Sequence, residues 1–328
     1  MRADILILGQ GLAGTMLASA FERGGISFAI ADPGHARAAT AAAAGIINPI
    51  TGRRLVKSWK VETFLPLARS AFREIERVLG IPLWHEMRLR RIFADDVERE
   101  AGENEERKAA LAPFIEAADE SGWWIRGAAR VDLNALLAES RRRWRNAGVL
   151  TDAGIELAGE AKDYGLVIDC RGVAATKAAE FGFVPWEYSK GELLELELDA
   201  LDPDVILNRR FWIAPISETR ALAGATHEPG VTDVAPTQAA RSRISTAVHE
   251  IVGNERSFCV ARQRAGVRVN LPDKRPVAGR HPLDERIGLI NGLGAKGALW
   301  APILAQQWVK HILTGAAFDP EMDVSRFG

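Results

Sequence analysis

The segment Gly9-Gln10-Gly11-Leu12-Ala13-Gly14 puts glycine at three positions with different mechanical duties. Gly9 permits a tight turn, Gly11 lets the backbone approach a pyrophosphate, and Gly14 lets a helix pack close to the strand before it. Leu12 and Ala13 open that helix, whose first N–H groups are oriented donors for phosphate. Asp32, followed by Pro33, closes the next apolar run, where an acid accepts from a ribose hydroxyl. The chemistry these residues suit is dinucleotide binding. A glycine turn in some other α/β protein is the alternative, but it leaves the strand, helix and acid around the glycines unexplained. NAD and FAD both present an ADP half to such a turn, so it does not separate them.

These residues need a strand, a helix and a second strand to hold them. Residues 3–8 (ADILIL) form an apolar run of the kind buried on both faces of a parallel sheet, residues 13–23 have helix-forming composition, and residues 26–31 (ISFAIA) form the next apolar run. A helix is expected from about Glu62 to Leu79, with Phe64, Leu67, Ala68, Ala71, Phe72, Ile75 and Leu79 on one face and Gly80 as its C-cap. The charged stretch from Asp95 to Arg107 reads as a solvated helix or excursion. Asp132 N-caps a helix running to Asn146, with Leu133, Leu136, Leu137 and Trp144 inward and Arg141, Arg142, Arg143 and Arg145 largely outward. The run LVID from Leu166 delivers Cys170-Arg171-Gly172.

The texture then changes. Alternating segments at 193–198, 211–215 and 221–225 fit an antiparallel sheet with one covered face, followed by a helix from Thr237 to Val252. The end returns to the first style, with strand IGLI at 287–290, a glycine-rich turn and a helix from Ala298 to Leu313. The expected fold is α/β, α+β overall: a Rossmann-like nucleotide-binding domain with an inserted antiparallel-sheet substrate domain. Residues 1–60, 125–184 and 259–328 are assigned to the first, 61–124 and 185–258 to the second.

Composition narrows the function. A chain of 328 residues exceeds the roughly 250–300 at which single cores tend to split, which favours two domains. A net charge of −1 gives no global attraction to nucleic acid or anionic membrane. The two cysteines, Cys170 and Cys259, sit in apolar runs and read as reduced, buried thiols, which with the lack of a signal peptide or spanning segment leads to the expectation of a soluble, cytoplasmic protein. His85, His227, His249, His281 and His311 have no ligand spacing, so no metal site is expected. The run Arg141-Arg142-Arg143-Trp144-Arg145 reads as a charged helix face before it reads as a nucleic-acid patch, and Trp123-Trp124 as packing.

Four further motifs, in order, resemble the D-amino-acid oxidase and glycine oxidase family of flavoproteins. Ala39-Thr40 with Ala43-Ala44-Gly45 resembles its loop of small residues, Thr40 standing where serine is usual. Asp169-Cys170-Arg171-Gly172 resembles its strand-ending element beside the cofactor. Gly266-Val267-Arg268 with Asp273, Pro276 and Gly279 resembles its late arginine signature, with Val269 where proline is usual. Gly292-Leu293-Gly294-Ala295-Lys296-Gly297 resembles its closing turn.

The resemblance implies non-covalently bound FAD, contacted by Gly9, Gly11, Leu12, Ala13, Gly14, Asp32, Pro33, Thr40, Ala44, Gly45, Arg171, Gly172, Gly292, Gly294, Ala295, Lys296 and Gly297. It also implies a carboxylate held by Arg268, a planar fork that suits that anion, while a second arginine of the glycine oxidases falls on Ala295. Lys296, at a helix start, would stabilise negative charge on reduced flavin. Lys57, after the small-residue loop, would assist oxygen or bind an anionic group; a basic turn paired with acids is equally consistent. The expected activity is oxidation of a small amine or amino acid by hydride transfer to flavin, with oxygen as acceptor. Two alternatives stay open: oxidation of a carboxymethylaminomethyl nucleoside in tRNA, which the arginine run would serve, and a non-catalytic FAD- or NAD-binding module.

Overall fold

The computed structural model describes residues 4–34, 38–154, 157 and 163–328. Its strands form two main sheets. In the six-stranded sheet the order is Val277–His281, Asp284–Asn291, Leu166–Asp169, Ile5–Leu8, Ala29–Ala31, Leu150–Thr151. The central strands run parallel, with Ile5 opposite Leu166, Leu6 opposite Ala29 and Val167 opposite Ile287, and the Val277–His281 strand closes one edge as an antiparallel hairpin. All four residues of Ile5–Leu8 are buried, as an apolar run between two covered faces requires. The next strand is shorter than the run at 26–31 suggested, covering Ala29–Ala31. Helix Leu12–Arg23 is buried from Leu12 to Phe21 and packs against the last helix, Gly297–Thr314.

The larger sheet has ten strands among the described residues, nearly all antiparallel; Val205–Asn208 runs parallel to Trp84–Ile92. Strands Glu187–Glu197, Trp212–Ser217 and Arg220–Gly224 lie where alternation placed them, and helix Gln238–Val252 begins at the N-cap Thr237, whose hydroxyl accepts from the Ala240 N–H. Helix Val61–Leu79 ends at Gly80 in the left-handed conformation, φ 70°. Asp132 caps helix Leu133–Asn146 by accepting from the Ala135 N–H at 3.0 Å.

Several expectations need correction. Strands Ile46–Ile47, Gly122–Val131 and Cys259–Asn270 belong to the larger sheet, although 46–47, 125–131 and 259–270 had been assigned to the nucleotide-binding side. Cys259–Asn270 bonds along its length to Glu187–Glu197, a pairing between residues some seventy apart that no local pattern announces. Helix Val61–Leu79 packs on the last helix as well as on strand Trp84–Ile92, so one apolar core joins both sheets. Leu67 is exposed, because the buried stripe passes through Phe64, Leu65, Ala68 and Ala71 instead. Cys259 is exposed while Cys170 is buried. Arg141 points inward. No described helix is long and apolar enough to cross a membrane.

Candidate functional site

The glycine turn has the geometry its sequence demands. Gly9 takes φ +91°, and a Cβ at Gly14 would stand 1.9 Å from the Gly9 carbonyl oxygen. Gly11 N-caps the first helix without a side-chain cap. Thr40 Oγ1 accepts from the Leu12 N–H at 3.1 Å, which leaves the hydroxyl's own proton to donate at the helix mouth. The closing turn, with Gly292 at φ +70° and Gly294 at φ +50°, brings a second helix start alongside: a Cβ at Gly297 would lie 3.0 Å from Leu12 Cδ2. Neither helix has an acidic residue in its first turn. Two uncapped positive helix ends side by side suit an anionic ligand.

Asp32 is buried and accepts from the Gln10 N–H and the Gly34 N–H, each at 2.7 Å. Its third partner was not foreseen. Arg141 donates to Asp32 Oδ1 at 2.7 Å, to the Asp32 carbonyl at 2.7 Å, to Gln10 Oε1 at 3.1 Å and to Asp152. Helix spacing explains its inward turn, since 141 follows Leu137 by four and precedes Trp144 by three on the buried face. Asp32 Oδ2, with one protein donor, keeps a lone pair for a ribose hydroxyl.

Arg171 is fastened to Asp169, Nε to Oδ1 at 3.0 Å and Nη2 to Oδ2 at 2.6 Å, and its Cα would stand 3.0 Å from a Cβ on Gly9. Gly172, at φ +59°, offers its carbonyl to Asn291 Nδ2 at 2.9 Å. Pro33 is exposed in the turn after Asp32. Ala44 packs with Leu193 and Leu222 of the larger sheet, and a Cβ on Gly45 would come 2.0 Å from the Val131 carbonyl oxygen, so these two serve the crossing between sheets. The glycine cradle, the Thr40 hydroxyl, the paired helix ends and Asp32 together fit a flavin dinucleotide.

Beside the closing turn lies a cavity of about 460 Å³, walled by the larger sheet on one side and by the closing turn with the start of the last helix on the other: Ile47, Arg91, Asn208 and Trp212 face Ala295 and Lys296. Lys296 has no acidic partner among the described residues, stands 5.8 Å from the centre of the Trp300 ring, and is pulled below the ordinary lysine pKa by burial. Arg268 does not line this cavity. Its guanidinium lies over Gly191, where a Cβ would be 2.1 Å from Nη2, and among the described residues it donates only to the Thr226 carbonyl at 3.3 Å. The neighbouring Val269 carbonyl accepts from the Gly294 N–H at 2.9 Å, which sets Arg268 one residue from the turn that carries Ala295 and Lys296. No carboxylate among the described residues pairs with Arg268, and burial lowers its pKa. Lys57 lies outside the cavity, on an exposed strand, paired with Glu62 at 2.5 Å; that bond holds the Glu62 carboxyl below its usual range. Of the three cationic candidates, the cavity therefore receives only Lys296.

The cavity also contains a buried polar cluster that the sequence reading missed. Arg91 donates to Asn208 Oδ1 at 2.6 Å and to Glu98 Oε1 at 2.7 Å. Glu98 lies in the charged stretch expected to be solvated, yet is 1% exposed because it answers Arg91. Alternation along Trp84–Ile92 was the available signal, placing Arg91 on the face of Met87 and Leu89. Among the described residues no cluster of His, Cys, Asp or Glu is placed to hold a metal ion.

Comparison with known proteins agrees with this arrangement. Residues 4–310 match the family described as FAD dependent oxidoreductase (DAO). A curated relative, the tRNA 5-methylaminomethyl-2-thiouridine biosynthesis bifunctional protein MnmC of Maricaulis maris (strain MCS10), is 31% identical over 327 residues, covering 95% of this chain and 52% of its own length. The chain thus spans about half of that relative. Among solved structures, glycine oxidase from Geobacillus kaustophilus aligns at TM-score 0.78 and 19% identity over 97% of both chains. Iminodiacetate oxidase (IdaA) from Chelativorans sp. BNC1 aligns at 0.74 and 20% identity, over 99% of this chain and 98% of its own. The dinucleotide cradle and the chain-long match lead to one conclusion: this chain belongs to the DAO family of FAD-dependent oxidoreductases.

Proposed function

We propose that the protein oxidises the C–N bond of a small amine that carries a carboxylate, with Arg268 as the carboxylate's counter-charge. One observation carries this reading: Arg268 is a largely buried guanidinium without an acidic partner among the described residues. A buried charge left unpaired is costly, and a ligand carboxylate relieves it with a charge-assisted, bidentate contact. FAD, when bound, accepts the two electrons of the C–N bond as hydride at the flavin ring. The protein's own share is to hold the amine in its neutral form beside the ring, orient the C–H bond and exclude water. The resulting imine would hydrolyse with water to a carbonyl compound and an amine, and the acceptor this reading assigns to the two electrons is oxygen, which would leave as hydrogen peroxide. No side-chain base is needed for this sequence.

The visible spectrum of the purified protein under anaerobic addition of glycine, sarcosine, proline and D-amino acids tests the reading. A flavin band that bleaches with one of them and returns in air is the expected result. A flavin that none of these compounds, nor a nucleoside amine, bleaches would overturn it.

A second substrate reading, a carboxymethylaminomethyl group on tRNA, draws on the identity with the Maricaulis relative and on Arg53, Arg209 and Arg210 in the cavity wall. The arginine run lends it little, since none of Arg142, Arg143 and Arg145 lines the cavity. Salt-sensitive tRNA binding that weakens on charge reversal at Arg53 and Arg210 would favour it; binding unchanged by that reversal would count against it.

A further inference from the structure

Asn208 presents a hydrogen-bond donor that the proposed reaction leaves unused. It ends strand Val205–Asn208, is 9% exposed, and lines the cavity. Its Oδ1 accepts from Arg91 Nη1 at 2.6 Å. Only this orientation of the amide sets acceptor against donor, because the reverse would oppose two donors. Arg91 cannot swing away: Nη2 is held by Glu98 Oε1 at 2.7 Å and by the Gly52 carbonyl at 3.2 Å, and Glu98 Oε2 is itself held by the Ala94 N–H at 3.1 Å. The amide nitrogen of Asn208, with its two N–H groups, therefore faces away from Arg91, and no described side chain or carbonyl accepts from it. A cavity-lining donor that no protein group accepts from is complementary to an oxygen that only accepts.

We infer that Asn208 is a specificity-determining residue that reads a carbonyl or carboxylate oxygen on the part of the substrate remote from the oxidised C–N bond. The substrate class this assigns is a glycine-type amine whose nitrogen carries an oxygen-bearing substituent. This assignment rests on the amine-oxidation reading and adds to it the character of the nitrogen substituent.

The test uses FAD-loaded protein under anaerobic conditions and three compounds of similar length: N-(carbamoylmethyl)glycine, iminodiacetate and N-propylglycine. Isothermal titration measures binding, and flavin absorbance on the same samples reports reduction. The wild-type protein is expected to bind at least one of the two oxygen-bearing compounds about tenfold more tightly than N-propylglycine, the scale of one well-placed hydrogen bond. Preference for the carbamoyl compound identifies a carbonyl, and preference for iminodiacetate a carboxylate. Asn208→Leu is expected to bring the ratio to within about twofold. Asn208→Asp, nearly isosteric and still able to meet Arg91, is expected to turn the preference against the oxygen-bearing compounds, which keeps the test valid if the leucine variant does not fold. A wild-type protein indifferent to the distal oxygen, or a ratio unmoved in Asn208→Asp, overturns the assignment. Binding that discriminates while no amine bleaches the flavin would instead uphold the subsite and refute the reaction.

Discussion

Replacing Arg141 by methionine keeps an apolar stem of similar reach and removes the guanidinium that ties Gln10, Asp32 and Asp152 together. Asp32 then remains buried with only the Gln10 and Gly34 N–H groups to balance its charge. Breaking a buried pair from one side costs about 3–5 kcal/mol, because the remaining charge is left uncompensated. Urea denaturation of the cofactor-free protein should show a loss of that order, read as a lower midpoint at an unchanged slope. The same change would loosen the carboxylate proposed to meet the adenosine ribose. A hydrogen bond to a charged group is worth about 1.5–3 kcal/mol, so FAD should bind roughly 10- to 100-fold more weakly. FMN lacks the adenosine half, and its affinity should stay within about twofold of wild type. Fluorescence titration with both flavins separates the two effects. Equal weakening of FAD and FMN would mean that the helix is merely disrupted, and no change in either would mean that Asp32 needs no such partner; each result refutes the reasoning.

Gly14→Ala forces a Cβ toward the Gly9 carbonyl, a backbone atom that cannot move aside, and should cost about 1–3 kcal/mol in urea denaturation together with most of the bound FAD. Lys296→Met removes a cation whose folded-state pKa lies below that of the unfolded chain. Between those two values the unfolded state binds more protons, so wild-type stability rises with pH through that window; the methionine variant should lack this rise and be the more stable cofactor-free protein at neutral pH, as thermal melts from pH 7 to 10 will tell. Lys57→Met breaks an exposed pair and should alter neither flavin reduction nor stability by more than about 0.5 kcal/mol; slowed reduction in stopped flow would return Lys57 to the site.

What a local pattern encodes is legible in the sequence. The glycine turn, the caps at Gly80 and Asp132, and the apolar runs of the parallel strands each depend on residues within one or two turns of one another. Strand Cys259–Asn270 was misassigned because its partner lies far back in the chain. Arg141 shows a subtler failure. Its helical phase matched Leu137 and Trp144, but three neighbouring arginines made the run look uniform, and the acid that draws it inward sits on another strand. Glu98 was hidden in the same way, a buried carboxylate inside a stretch whose average character is solvated. Composition describes a segment, whereas burial of a charge is decided by a partner elsewhere in the sequence.

The crossing at Gly45, where backbone meets backbone at Val131, has a consequence for how such a protein diversifies. The chain enters the larger sheet early, at Ile46–Ile47, and returns to it twice more before the closing helix, so no single cut frees either sheet as a transplantable module. Exchange of whole parts between relatives is closed off by this weave. New substrates must be reached by altering individual side chains in the cavity wall while the threading that holds the cradle stays as it is.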